Sequence, residues 1–172
     1  MSAFLYFAYG SNLLTARLRE RCPSAAPIGR AVAPGHSVCF RKAGRDGSGK
    51  ATLTLGGGAG FEAMGVLYRI DLRERPALDR AEARYDRLDD FPVRTVQSGA
   101  SIAATTYIAQ ADACREGLLP LDWYLALIVA GAREHGFNDS YIAMLAAVET
   151  RADLEAERAG RMSALARLRR LI

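Results

Sequence analysis

Phe4-Leu5-Tyr6-Phe7-Ala8-Tyr9-Gly10-Ser11-Asn12 ends an apolar, aromatic run on residues that can gather hydrogen-bond donors around one point. Gly10 permits a tight turn or close approach of the backbone to a ligand. Ser11 and Asn12 are good helix N-cap types, and a helical pattern follows at once in Leu13-Leu14-Thr15-Ala16-Arg17-Leu18. A strand that runs into a helix start aims free N–H groups and a positive dipole end at one spot, which suits a carboxylate or phosphate. The same residues also suit an ordinary capped turn, and spacing alone leaves both readings open.

The second chemical candidate is Glu82. Pro76 to Tyr85 reads as a short helix with Pro at N1. At about 100° per residue, Leu78, Ala81, Glu82 and Tyr85 share one stripe, while Asp79, Arg80, Ala83, Arg84 and Asp86 lie off it. Burying a charge is costly unless the group is paired or does chemistry. A desolvated Glu has a raised pKa and exchanges protons near neutral pH. An edge position, with Glu82 reaching solvent or pairing with an Arg, fits the periodicity equally well.

Other candidates are weak. Gly44-Arg45-Asp46-Gly47-Ser48-Gly49-Lys50 fits a phosphate-loop spacing, but Ala51 stands where Ser or Thr should hold magnesium, and a strand-like run follows. A hairpin loop is expected there. Gly58-Ala59-Gly60-Phe61-Glu62-Ala63 also runs into a strand, not a helix, and reads as a turn. His36 and His135 have no partner spacing for a metal, and Ser11 is not in a nucleophile elbow. Cys22, Cys39 and Cys114 form no C-x-x-C pair, so bystander thiols in a reducing cytoplasm are expected.

The elements that must position these residues follow from the pattern. The chain has 172 residues, half of them hydrophobic, which fits a single soluble domain over 1–172 with a real core. It has no apolar run of membrane length and no signal-like start. Strands are predicted at Phe4–Tyr9, Ile28–Ala33, Ser37–Arg41, Ala51–Leu55, Ala63–Ile70, Val93–Gln97 and Ile102–Ala109. Helices follow at Trp123–His135, opened by Asp122 and closed by Gly136, and at Ser140–Glu149, opened by Asn138 or Asp139. Strands first and helices later predict an α+β fold, a small mixed β-sheet or open barrel surrounded by helices.

From Arg151 to Ile172 six arginines face three acids, so most of the net charge of +4 sits there. Leu154, Met162, Leu165, Leu168 and Leu171 recur at near-helical spacing, which predicts a basic amphipathic C-terminal helix over 151–172. A helix docked on the domain with a solvated Arg face is favoured over a nucleic-acid surface, because no aromatic interleaving or nucleic-acid motif accompanies it.

Phe4 to Ala26, with its Tyr-Gly-Ser-Asn signature, resembles the start of the γ-glutamylcyclotransferase family. The resemblance continues through Gly65-Val66-Leu67-Tyr68, Leu78-Asp79-Arg80-Ala81-Glu82 and Gly131-Ala132-Arg133-Glu134-His135-Gly136, with Tyr141 just after, to about Glu149. It implies a γ-glutamylcyclotransferase-like fold and a cofactor-independent reaction. In that reaction the α-amine of a small γ-glutamyl substrate attacks its own γ-carbonyl, expelling an amine and closing the ring of 5-oxoproline. By resemblance Glu82 is the general acid/base, Tyr6, Phe7, Ala8, Tyr9, Gly10, Ser11 and Asn12 line the pocket, and Tyr141 offers its hydroxyl to the substrate. Asn12 favours the branch acting on γ-glutamyl amino acids over the glutathione-specific one. The resemblance also implies glutathione metabolism and a homodimer, while the residues themselves lead one to expect a cytoplasmic location and no nucleic-acid, membrane or metal partner. The chain departs from the family in three places. The stretch after Glu82 is longer than in animal members, Phe91 stands where a pocket Tyr is expected, and the Arg-rich tail lacks a clear counterpart. A non-catalytic module binding a small carboxylate is the alternative from another class.

Overall fold

Seven strands and five helices are described in a computed structural model that covers residues 2–56 and 61–167. The glycines of the 58–63 pattern and Leu168 to Ile172 lie outside the described residues. Strands β1 (Ala3–Ala8), β2 (Ala26–Pro34), β5 (Glu62–Asp71), β6 (Tyr85–Thr95) and β7 (Ser101–Ala109) form a closed barrel in the order β1-β5-β2-β6-β7. Every barrel pairing is antiparallel except β1 with β7, where Tyr6 meets Thr105 in parallel. Strands β3 (His36–Ala43) and β4 (Gly49–Leu55) form a separate antiparallel hairpin. Its loop is the stretch with phosphate-loop spacing, and Gly47 turns it at φ 70°.

Pleating divides β1 between two tasks. Phe7 stands opposite Leu67, and its ring stacks on Phe91 of β6 at 6.4 Å between centroids. Strands β1 and β6 are not neighbours, so this contact crosses the barrel interior. Gly65 makes room for it, since a Cβ there would come within 2.4 Å of the Phe7 ring. Tyr6, opposite Tyr68, points to the other face. The Tyr68 hydroxyl donates to the Leu13 carbonyl at 2.9 Å and meets His135 Nε2 at 2.9 Å and Thr15 Oγ1 at 3.0 Å. His135 is thus part of a buried polar cluster that ties the Gly10–Leu14 turn to the barrel.

Helix α1 (Thr15–Arg19) is shorter than the predicted one, and a 3₁₀ turn at Ser11–Leu13 precedes it. Ser11 and Asn12 do not cap it. Leu14 holds the N-cap position without a side-chain bond, and the Thr15 N–H donates at 3.1 Å to Glu134 of α3 (Asp122–Glu134). A tertiary partner supplies the cap that local sequence was expected to give.

Helix α2 (Arg75–Ala81) also ends early. Glu82 is its C-cap at φ −95°, ψ 38°, and Arg84 at φ 68° reverses the chain into β6. Tyr85 is therefore a strand residue and Ala81 is exposed, so of the expected apolar stripe only Leu78 is buried in the helix. Helix α4 (Asp139–Ala146) is capped by Asn138, whose side chain accepts from the Tyr141 N–H, and stops short of Glu149.

Helix α5 (Ala156–Arg167) packs on α3 through buried Met162. Asp153 joins the two by accepting from Trp123 Nε1 at 2.7 Å and from Arg158 at 2.6 Å. The described part of the tail is thus a docked helix. Leu154, 94% exposed, is not part of its apolar side. No helix among the described residues is long and apolar enough to cross a membrane.

Candidate active site

Tyr6, Tyr9, Gly10, Ser11 and Asn12 from the end of β1 meet Ala51, Glu82, Tyr85, Tyr107 and Tyr124 around one narrow cleft. A larger recess of about 540 Å³, walled by Leu5, Ile28, Leu67, Val96 and Ile102, has Arg30 as its only charged lining residue. The cleft gathers carboxylate, amide and phenols in one place, so it is where acid–base chemistry can occur.

Glu82 is at its centre. Asn12 Nδ2 donates to Glu82 Oε1 at 2.9 Å and to the Tyr6 hydroxyl at 3.0 Å. Arg21 Nη1 donates to Asn12 Oδ1 at 2.8 Å and to Glu82 Oε1 at 3.2 Å. The Glu82 side chain is only 14% exposed. The two sequence alternatives are therefore both present, since the acid faces inward and is also paired with an arginine. Burial raises its pKa above the ordinary carboxylate value, opposed by Arg21, the Asn12 hydrogen bond, Lys42 and Arg17.

The phenols are all held protonated. Burial and the charge of Glu82 push Tyr6 and Tyr9 well above the ordinary tyrosine value. Tyr124 is pushed up to about 12, mainly by burial, and its oxygen accepts from the Ala51 N–H at 3.1 Å. Tyr85 donates to the Ala51 carbonyl at 2.7 Å. Two tyrosines thus fix one backbone unit of β4 as the wall opposite the turn. Tyr9 donates to the Tyr107 carbonyl, and the Tyr107 hydroxyl donates to Asp79 at 2.7 Å. Gly10 keeps that wall close, because a Cβ there would stand 3.3 Å from Ala51 Cβ and 3.6 Å from the Tyr124 hydroxyl.

The turn is closed by its own backbone. Its internal bonds run from the Leu13 N–H to the Gly10 carbonyl and from the Leu14 N–H to the Ser11 carbonyl. The Ser11 and Asn12 amides at its start are not used by these bonds, as at any helical beginning. Behind it, Gly131 of α3 lets the turn rest directly on the helix. A Cβ at Gly131 would lie 2.4 Å from Leu14 N and 2.5 Å from Leu13 C.

Of the ten residues singled out from sequence, Tyr6, Tyr9, Gly10, Ser11, Asn12 and Glu82 come together in the cleft. Phe7, Ala8, Phe91 and Tyr141 do not line it. Phe7 and Phe91 stack inside the barrel, because the β1 pleat turns Phe7 away from Tyr6 and a bulge between Leu88 and Phe91 resets β6. Ala8 is fully buried in β1. The Tyr141 hydroxyl accepts from the Met64 N–H at 3.2 Å, and its ring packs on Phe137. Arg21, Ala51, Tyr85, Tyr107 and Tyr124 went unrecognised in the sequence. Tyr85 follows Glu82 by three residues, so it was within reach of pattern reading.

Known proteins agree with this architecture. A family model described as AIG2-like family matches residues 62–145. The human protein named gamma-glutamylcyclotransferase is 30% identical over 165 residues, which span 86% of this chain and 79% of that protein. The mouse protein of the same name is 31% identical over 162 residues, 85% of this chain and 79% of that one. A solved structure named gamma-glutamyl cyclotransferase superposes with a TM-score of 0.79 at 28% identity, covering 93% of this chain and 99% of the other. The barrel is shared end to end and the sequence over most of its length, so the chain belongs to the γ-glutamylcyclotransferase family and is an enzyme of that type.

Proposed function

We propose that this enzyme converts a small γ-glutamyl amino acid or γ-glutamyl amine to 5-oxoproline and a free amine, with Glu82 moving the protons. The observation that carries this is Glu82, a desolvated carboxylate hydrogen-bonded to Asn12 and facing the Gly10–Asn12 turn across one cleft. Nucleophile and electrophile belong to one molecule, so the protein's tasks are orientation and proton handling.

An α-amine has a pKa of about 8, so at neutral pH much of it is ammonium and cannot attack. Ionised Glu82 accepts one ammonium proton. The nitrogen then adds to the γ-carbonyl, and the carbonyl oxygen takes up negative charge. Glu82 returns the proton to the departing nitrogen, the carbon–nitrogen bond breaks and the carbonyl re-forms within the five-membered ring, while the ring nitrogen passes its surplus proton through Glu82 to the freed amine, which leaves as its ammonium. No water is consumed, and the carboxylate ends as it began. The raised pKa of Glu82 narrows its gap to the amine and makes both transfers easier. The Ser11 and Asn12 amides and the hydroxyls of Tyr6 and Tyr124, which only accept in the bonds above, are the available donors for the substrate carboxylate and the oxyanion.

Because Glu82 must be ionised in the free enzyme, kcat/KM falls as pH drops through its raised pKa. Arg21 favours the ionised form. Arg21→Gln therefore moves this acid limb to higher pH, a shift read directly from a pH–rate profile. An unmoved limb would remove Arg21 from the account.

The cytoplasmic location belongs to the same proposal and is supported by the free thiols of Cys22, Cys39 and Cys114. The homodimer and the link to glutathione metabolism rest on family membership, and sedimentation of the purified protein tests the former. The function is tested by 5-oxoproline release over a panel of γ-glutamyl amino acids. Release from γ-glutamyl-alanine or its relatives is expected, whereas binding without turnover would make the protein a small-carboxylate module.

A further inference from the structure

The cleft opens past Glu82 into a second cavity of about 320 Å³, against about 30 Å³ of open space in the cleft itself. The two share Ser11, Glu82, Tyr85 and Tyr124. Six cations line the outer cavity: Arg17, Arg21, Lys42, Arg45, Lys50 and Arg80. They come from three separate elements, namely the α1 segment, the β3–β4 hairpin and the end of α2.

Some of this charge is matched. Arg17 pairs with Glu20 at 2.5 Å, Lys50 with Asp46 at 2.9 Å, and Arg21 with Glu82 at 3.2 Å. Lys42, Arg45 and Arg80 have no ion-pair partner within 4.0 Å among the described residues. Lys42 lies over the Tyr85 ring at 5.2 Å and Lys50 over the Tyr124 ring at 4.8 Å, so the cations are packed onto the walls of the cleft. Burial lowers the pKa of both lysines, opposed by Glu82 at Lys42 and by Asp46 at Lys50, with smaller lowering contributions from neighbouring cations.

We propose that this cavity receives the leaving amine and selects one that carries extra carboxylates, so that γ-glutamyl conjugates of acidic amino acids are the favoured substrates. This rests on the cyclisation described above. If Glu82 protonates the departing nitrogen, that nitrogen lies beside it, and the group attached to it extends into the space beyond. A carboxylate there meets Lys42, Arg45 and Arg80, which are in no ion pair of their own among the described residues. An amine with a cationic side chain meets the same three groups and is repelled. The glycine-rich hairpin thus has a role different from the phosphate loop its spacing mimics, since its lysines and arginine serve as side-chain charges.

The test compares kcat/KM for γ-glutamyl-glutamate, γ-glutamyl-alanine and γ-glutamyl-lysine (linked through the lysine α-amine), at low and at moderate ionic strength. Preference for γ-glutamyl-glutamate over γ-glutamyl-alanine by tenfold or more is expected, chiefly in KM, with γ-glutamyl-lysine last. Added salt should narrow the spread. In an Arg45→Glu/Arg80→Glu double variant, checked for an intact melting transition, the glutamate preference should collapse at least tenfold. Equal kcat/KM for the three substrates in the wild type would overturn charge selection and leave cyclisation standing. Release of 5-oxoproline from none of them would overturn cyclisation and this proposal with it. The wild-type comparison decides the matter even if the double variant does not fold.

Discussion

Glu82→Gln is expected to lose about 10³-fold in kcat while folding normally, within the range a positioned proton-transfer group supplies. Gln can keep the hydrogen bond from Asn12, but it has no proton to take or return. The same change should stabilise the protein at alkaline pH. Burial raises the folded-state pKa of Glu82 above its unfolded value. Its contribution to stability is therefore full below the unfolded pKa and is lost as pH rises through the folded pKa. Above that point the wild type holds an ionised carboxylate in a desolvated cleft and the variant does not. A gain of about 1 kcal/mol, typical of relieving a functional site, is expected at pH 8, and the gain should fade toward pH 5. Steady-state assays and melts at the two pH values check both halves. Undiminished turnover would remove Glu82 from the chemistry.

Gly131→Ala carries the second large effect. At an unconstrained helix position, exchanging Gly for Ala adds about 1 kcal/mol of stability. At Gly131 the sign should reverse, because the new Cβ would stand 2.4 Å from Leu14 N, 2.5 Å from Leu13 C and 2.6 Å from Leu13 Cβ. Two of those three atoms are backbone and cannot rotate away, so either α3 or the Gly10–Leu14 turn must shift. Overpacking of this kind costs about 1–3 kcal/mol, or about 2–4 °C of melting temperature per kcal/mol at this chain length. Activity should fall further, since a 1 Å misplacement of the donors costs on the order of 10²-fold. Gly160→Ala on α5 is the control, because nothing lies within 4 Å of its Cβ position and it should be neutral or stabilising. A Gly131→Ala protein that melts and turns over like the wild type would show that the turn is not held by α3.

What the sequence made legible was what depends on short-range pattern. The apolar runs marked each strand to within a few residues, except where β6 begins. Asp86 to Asp90 is charged and exposed, so it lacked the apolar signature of a strand and was assigned to no element, while Tyr85 read as the end of a helix. The inward face read for Glu82 rested on a partly mistaken helix. The periodicity assumed a helix continuing to Tyr85, whereas the helix ends at Ala81 and the C-cap geometry of Glu82 turns its carboxylate toward Asn12. Arg21, Ala51 and Tyr124 escaped because they reach the cleft only through tertiary packing, from three elements with no fixed spacing to Glu82 or to one another. Phe7 and Phe91 show the converse. By resemblance to the family both read as pocket walls, but the strand pleat makes them the filling of the barrel.

The central claim is that the substrate's own amine, and not water, opens the γ-glutamyl bond, and its most direct measurement is product analysis in H₂¹⁸O with γ-glutamyl-alanine. The account predicts unlabelled 5-oxoproline and alanine in equal amounts, and no reaction when the substrate's α-amine is acetylated. Glutamate carrying ¹⁸O, or turnover of the acetylated substrate, would contradict it.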